Sequence, residues 1–432
     1  MGKGKKRIPN YNPNPPVRQE PVKNSILDYM QEGNEYSSIL GLKNVNIDAR
    51  TELLRSLNEI SATTFPKPRA VYDAVTDCML HKGGNAGRGA HPLAMKAAEE
   101  IYLCRERAAK LFGARTQNVS FTFNTTHALN CVIKGILRAG DHAICSNLEH
   151  NSVYRPLAKL KSDGVIDFDV FNAFPNLDFS TPDMIISTID KLVRPNTRLL
   201  ICTHASNVCP ITLPIERIGA YCKERGIFFA VDGAQSGGIF PIDVRKMHID
   251  ALCLPSHKGL YGPQGGGMLI LGDEVRLNTL IEGGNGVDSL LSTMSDDSPE
   301  RYESGTLPTH VISGLKEGLD FVSAVGIDNI RAHEEKLCAR AKAGLISLPH
   351  IKVFTPSRQG SLVLFTHDRI PSESVAQFLG KRNICVRAGF HCAALAHKAL
   401  GTPKDGAVRV SLGYFNTSRD VDKFLAAMKE IV

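Results

Sequence analysis

Residues 228–272 read FFAVDGAQSGGIFPIDVRKMHIDALCLPSHKGLYGPQGGGMLILG. Three short apolar runs sit in this stretch: FFAVDG (228–233), ALCLPS (251–256) and GMLILG (267–272). Each is apolar at successive positions rather than at alternate ones. That pattern fits strands buried on both faces of a mainly parallel sheet. Working outward, VSFTF (119–123), HAICS (142–146), DFDVF (167–171) and RLLICTHAS (198–206) continue the series toward the N-terminus. Helical patterns lie between them, at 91–111, 125–137 and 214–225. The last opens with Pro214, a residue suited to a first helical turn. Strand–helix alternation on this scale predicts a layered α/β domain. The seven apolar runs predict a mainly parallel, seven-stranded sheet flanked by helices.

The chain changes character toward its C-terminus. Long helical patterns at 308–347, 371–382 and 418–431 flank a few strands such as VLFTH and VRVSLG. We read residues 61–306 as a large α/β domain and 307–432 as a smaller α+β domain. Residues 1–60 form an N-terminal extension whose first 24 residues, rich in Pro, Asn and basic side chains, predict a disordered arm.

The 432 residues carry a net charge of +7. Residues 1–18 hold Lys3, Lys5, Lys6, Arg7 and Arg18 with no acid, so the body is left with only +2. The basic character belongs to the arm, and no groove-reading motif accompanies it, so no nucleic acid is expected as a partner. No apolar run approaches the ~20 residues of a membrane helix, so no membrane span is expected either. The 11 cysteines include no CxxC pair and no grouping with zinc spacing, so no metal is expected. Without a secretion signal, the chain reads as a reduced, cytoplasmic protein with mostly inert thiols.

In open α/β sheets, ligands bind beyond the carboxyl ends of the strands. The residues following each run are therefore the candidates for chemistry. They are Thr125-Thr126-His127, Glu149-His150-Asn151, Ser206-Asn207, Asp232-Gly233-Ala234-Gln235 and Ser256-His257-Lys258-Gly259. Lys258 directly follows an apolar strand. A lysine in a partly apolar site loses pKa and becomes a nucleophilic amine, which imine formation with an aldehyde cofactor requires. By itself a lone lysine reads as a surface lysine in a loop; the strand context and its neighbours change this. A buried Asp232 needs a cationic or hydrogen-bonding partner, and a helix N-cap is the plainer reading of that residue alone.

Taken together, these residues resemble the pyridoxal-phosphate enzymes of aminotransferase class V, in the fold-type-I group, and specifically the cysteine desulfurase branch. The resemblance is carried by NTTHALN (124–130), EHNS (149–152), HASNVCP (204–210), VDGAQ (231–235) and SHKGLYGPQGGG (256–267). RYESGT (301–306), VRAGFHCA (386–393) and VRVSLGYFNT (408–417) complete it, so it spans about residues 62 to 432. No single motif would suffice; their order and spacing carry the match.

The resemblance implies a role for each position. Lys258 would bind the aldehyde of pyridoxal 5'-phosphate and move protons. Asp232 would pair with the pyridine nitrogen and Gln235 with the phenolic oxygen. His150 would stack on the ring and help move protons. Thr125, Thr126, Ser256 and His257 would contact the phosphate, helped by a helix N-terminus. Asn207 would touch the ring oxygen or the substrate carboxylate, and Arg409, with Arg387, would bind that carboxylate. Cys392 separates cysteine desulfurases from plain class-V transaminases. It would take sulfur from L-cysteine as a persulfide, release L-alanine and pass the sulfur to an acceptor protein. Arg387 and His391 are the expected cationic neighbours of its thiolate. The other ten cysteines read as buried. A homodimer is implied as well.

Several positions depart from the family pattern. Ile60 replaces an amide, His127 a glutamate, Pro255 a hydroxyl residue, Ser256 a glycine and Asn285 a threonine that would reach the partner's phosphate. These keep open a related class-V lyase or aminotransferase acting on selenocysteine, cysteine sulfinate or a specialised metabolite. They also leave open a non-catalytic scaffold. In GGNAGRGAHPLA (83–94), Arg88 and His91 are candidates for the site mouth, with a helix N-cap as the alternative for His91.

Overall fold

The computed structural model describes residues 66–431, apart from 88, 90, 175–179, 287–288, 355–359 and 403. The basic arm, Ile60 and Arg88 lie outside the described residues. Helices α1 (Arg69–His81) and α2 (Pro92–Leu111) lead into β1 (Val119–Thr122). There follow α3 (Thr125–Ile136), β2 (His142–Ser146), α4 (Asn151–Ser162), β3 (Asp167–Phe171) and α5 (Pro182–Asp190). Then come β4 (Thr197–Thr203), α6 (Ile215–Arg225), β5 (Phe228–Asp232), β6 (Ala251–Pro255) and β7 (Gly267–Leu271).

These strands form a seven-stranded sheet in the order β1-β7-β6-β5-β4-β2-β3. The β3/β2, β2/β4, β4/β5 and β5/β6 pairs are parallel. Only β7 runs the other way, antiparallel to both β6 and β1. Strands β6 and β7 are buried at every position. This is why their sequences are apolar without alternation: helices cover both faces. At Gly267 a Cβ would sit 2.7 Å from the main chain of Asn124, so this glycine lets β7 start against the entry to α3.

Beyond the sheet lie α7 (Thr309–Val325), α8 (Ile327–Ile346), β8 (Ile351–Val353), β9 (Leu362–His367) and α9 (Ser372–Gly380). The chain ends with β10 (Arg387–Gly389), α10 (Ala394–Leu400), β11 (Ala407–Ser411) and α11 (Ser418–Ile431). A second sheet, β10-β11-β9-β8, is antiparallel throughout. The helical pattern expected over 308–347 is two helices, not one. Gly326 breaks it with φ +87, a conformation a side chain disfavours.

A buried ion pair ties the RYESGT segment to the sheet. Arg105 of α2 meets Glu303 through two parallel contacts of 2.8 and 2.9 Å. Glu303 also accepts from the main-chain N–H of Phe121 at 2.6 Å, and Arg105 donates to the Val119 carbonyl. Among the described residues, no helix is long and apolar enough to cross a membrane.

Candidate active site

The carboxyl ends of β1, β2, β4, β5 and β6 deliver the expected residues to one edge of the sheet. Asn124 caps α3, its Oδ1 accepting from His127 N–H at 2.9 Å. This places Thr125 and Thr126 in the first turn, where helix N–H groups lack partners. Thr125 is buried, and its hydroxyl has no hydrogen-bond partner. His150 caps α4 through Nδ1, which accepts from Ser152 N–H at 3.1 Å. Asp232 ends β5, 3% exposed, with Oδ1 accepting from Ala234 N–H at 2.9 Å. Gln235, His257 and Lys258 are half-buried on the same edge.

Burial and charge tune this cluster. Burial holds the Lys258 amine down to about 8, Asp232 opposes that shift, and Arg409 and Arg387 reinforce it. Burial raises the Asp232 carboxyl from its usual range, against the pull of Lys258. His150 is held down to about 4 by burial and by the positive charges of Lys258, Arg387, Arg155 and Arg409. Its ring is therefore neutral at physiological pH. His257 is held down to about 4 in the same way, first by burial. Glu149, beside His150, is fully buried and pushed up to about 8. Its Oε1 accepts from Thr203 N–H at 2.9 Å and from the Ser146 hydroxyl, which links the ends of β2 and β4.

Cys392 reaches this edge from the second sheet. Its carbonyl accepts from Asn151 N–H at 2.7 Å. The carbonyl of His391 accepts from Asn207 Nδ2 at 2.7 Å. Both His391 (φ +52) and Cys392 (φ +57) are left-handed, so the turn that presents the thiol is conformationally unusual. Cys392 is exposed, and Arg387 Nη2 lies 3.4 Å from its Sγ. His391 does not add a second charge. It is buried, held down to about 3 by burial, and stacked on His397 with Nδ1 3.0 Å from His397 Nε2. Arg387 is thus the one cationic neighbour of the two expected. Nine of the other ten cysteines are buried, as expected, and Cys385 is exposed like Cys392.

Arg409 and Arg387 face each other across β11 and β10 as direct register partners. Like charges so placed repel. Among the described residues neither meets a carboxylate, and Arg409 is 2% exposed with its Nε unpartnered. Arg409 Nη1 donates to the Asn207 carbonyl at 2.8 Å. Such a pair suits an anion.

Some expected roles look different in the fold. The Ser256 hydroxyl donates to the Pro263 carbonyl, so its proton serves the Gly-rich turn. The Asn207 amide holds the Cys392 loop. His91 is a helix N-cap, with Nδ1 accepting from Ala94 N–H at 3.3 Å. His127 folds back onto Phe123, with ring centroids 5.2 Å apart. Asn285 Nδ2 donates to the Glu300 carbonyl at 2.9 Å.

The sequence profile of the family described as Aminotransferase class-V matches residues 58–424. The chain belongs to this family. A probable cysteine desulfurase of Methanothermobacter thermautotrophicus is 32% identical over 379 residues, covering 86% of this chain and 93% of that protein. A cysteine desulfurase of Shigella sonnei is 31% identical over 382 residues, covering 86% and 92%. The apo structure of a cysteine desulfurase from Thermococcus onnurineus superposes with a TM-score of 0.81 at 28% identity, covering 90% of this chain and 98% of that one. The architecture is that of fold-type-I enzymes.

Class-V enzymes of this kind depend on pyridoxal phosphate. The class-V site of this chain fits that group on its own geometry. The unpartnered Thr125 hydroxyl at a helix N-terminus suits a phosphate oxygen. The buried Asp232 suits a pyridinium N–H. The low-pKa Lys258 amine suits an aldehyde carbon.

Proposed function

We propose that this chain is a cytoplasmic cysteine desulfurase that takes sulfur from L-cysteine, releases L-alanine and holds the sulfur as a persulfide on Cys392. Lys258, Asp232, Gln235, His150, Thr125, His257 and the helix N-terminus at Thr126 would hold pyridoxal 5'-phosphate. When bound, that group supplies an electron sink that eases loss of the substrate Cα proton and weakens the C–S bond.

The chain's own residues do the rest. Arg409 binds the substrate carboxylate, and its unpartnered Nε supports this role. Arg387 adds charge at the mouth. The Lys258 amine would take the Cα proton, and its low pKa leaves it able to do so near neutrality. His150, neutral, presents a proton donor rather than a cation. The Cys392 thiolate attacks the substrate sulfur. An S–S bond forms, the C–S bond breaks, and the carbon gains a proton in place of sulfur. The net change is cysteine plus enzyme thiol to alanine plus enzyme persulfide, which needs no outside oxidant.

The single observation that carries this reading over a plain lyase or aminotransferase is the docking of the Cys392 loop. Two of its main-chain carbonyls are held by Asn151 and Asn207, and Cys392 interacts electrostatically with Lys258. An exposed thiol so placed supports hand-over to an acceptor protein. The exposed Met79, Leu80, Leu93, Met95 and Tyr102 of α1 and α2 support a homodimer. The domain division at 306/307 would then separate a cofactor domain from the domain that carries the nucleophile. The test is product analysis: wild type and Cys392→Ala are given L-cysteine and a reductant, and alanine and sulfide are measured. Sedimentation tests the dimer.

A further inference from the structure

We infer that Ser152 is a positioning residue: its hydroxyl, fed by Thr126, fixes His150 as the tautomer that carries its proton on Nε2. The inference rests on the proposed role of His150 at the cofactor, but the contacts behind it stand without that role.

His150 Nδ1 accepts from the main-chain N–H of Ser152 at 3.1 Å. A ring nitrogen that accepts a hydrogen bond carries no proton. The Ser152 hydroxyl lies 2.7 Å from the same Nδ1, so it must donate there rather than accept. Its oxygen is then left with lone pairs only. Thr126 Oγ1 lies 2.8 Å from that oxygen and supplies the proton that completes the chain. Every proton position follows from the first contact. Thr126 stands 26 residues before Ser152, on the neighbouring helix, so the chain joins the first turns of α3 and α4. Ser152 is 8% exposed, which limits replacement of its hydroxyl by water.

The consequence is chemical. A neutral imidazole with both donors on Nδ1 has its only N–H at Nε2, the ring position that the helix cap leaves open. His150 then meets its substrate or cofactor as a donor at one defined atom. Without the Ser152 hydroxyl, the main-chain N–H alone opposes the other tautomer.

The experiment labels the full chain with 15N-histidine and reads the two ring nitrogens of each histidine by long-range proton–nitrogen correlation. The His150 signals are assigned with His150→Gln. Wild type is expected to show Nε2–H at His150, and Ser152→Ala a mixture of tautomers. With cofactor saturating, Ser152→Ala should lose about tenfold or more in kcat on L-cysteine, the direction set when an imidazole loses its correct tautomer. KM should change little, and Ser152→Thr should restore both tautomer and kcat. Thr126→Val combined with Ser152→Ala should cost less than the two single losses multiplied. A proton on Nδ1 in wild type overturns the inference without any variant. So does Ser152→Ala with an unchanged tautomer, whether or not kcat falls. Failure of the desulfurase reading shows differently, as wild type that makes no alanine, and leaves the tautomer measurement intact.

Discussion

Asn207 Nδ2 donates to the main-chain carbonyl of His391 at 2.7 Å. A residue just beyond the end of β4 thereby holds the turn that presents Cys392. The carbonyl of the same Asn207 accepts from Arg409. One residue thus couples Arg409 to the Cys392 loop. Asn207→Ala should keep the bound cofactor, seen by its visible absorbance, yet lose alanine formation by roughly ten- to hundredfold, the scale of a buried hydrogen bond left unmade. Full activity in this variant would mean that the loop docks without it.

Arg409→Lys tests carboxylate binding. Lysine keeps the charge but not the planar fork. KM for L-cysteine should rise by about tenfold or more, with a smaller change in kcat. Steady-state kinetics across a wide cysteine range decides this. A lower kcat at unchanged KM would place Arg409 outside substrate binding.

Lys258 sets a pH dependence. Its amine is held down to about 8, so the nucleophilic neutral form dominates above that pH. Capture of added pyridoxal phosphate by cofactor-free protein should speed up as pH rises and level off above about 8. A lysine at its ordinary value would still be gaining near pH 10. Lys258→Ala should show no such capture.

Glu149 gives a stability dependence of the opposite sense. Its carboxyl is pushed up to about 8 by burial, so the folded state keeps a proton that the unfolded chain releases at an ordinary carboxyl pKa of about 4.3. The proton-rich state is the native one, so this group's contribution is present at low pH and is lost as pH rises toward 8. Glu149→Gln, which cannot ionise, should lose less Tm than wild type between about pH 6 and 8.5. Equal slopes would mean that Glu149 is ionised in the fold.

The Arg105–Glu303 pair predicts a stability loss away from the chemistry. Both side chains are buried, and removing one leaves an unpaired charge. Glu303→Ala should cost about 3–5 kcal/mol in denaturant unfolding. A change below about 1 kcal/mol would show that the partner finds other compensation.

Much of this architecture was legible from the chain because burial on both faces writes an unbroken apolar run. The inner strands stand out for that reason, while β1 and β3 alternate apolar and polar residues, and the residues after the runs lead to Lys258, Asp232, His150 and Asn207. Contacts between distant side chains were not legible. The Ser152–Thr126 chain joins two helices, and Arg105–Glu303 closes a loop of 198 residues. Neither leaves a periodic trace. Helix α4 was hidden by Pro156 inside it. The split at Gly326 leaves no trace because the apolar spacing runs through it. The bond from the Ser256 hydroxyl to the Pro263 carbonyl likewise leaves no mark in the sequence.

The most direct test is a single turnover. Purified holoenzyme and Cys392→Ala are each mixed with L-cysteine, and alanine, sulfide released by reductant, and persulfide on the chain are quantified together. The account predicts equal amounts of alanine and sulfur from wild type, the sulfur recovered on the peptide carrying Cys392, and neither product in quantity from the variant. Full alanine and sulfide from Cys392→Ala would contradict it and leave a lyase that needs no protein thiol.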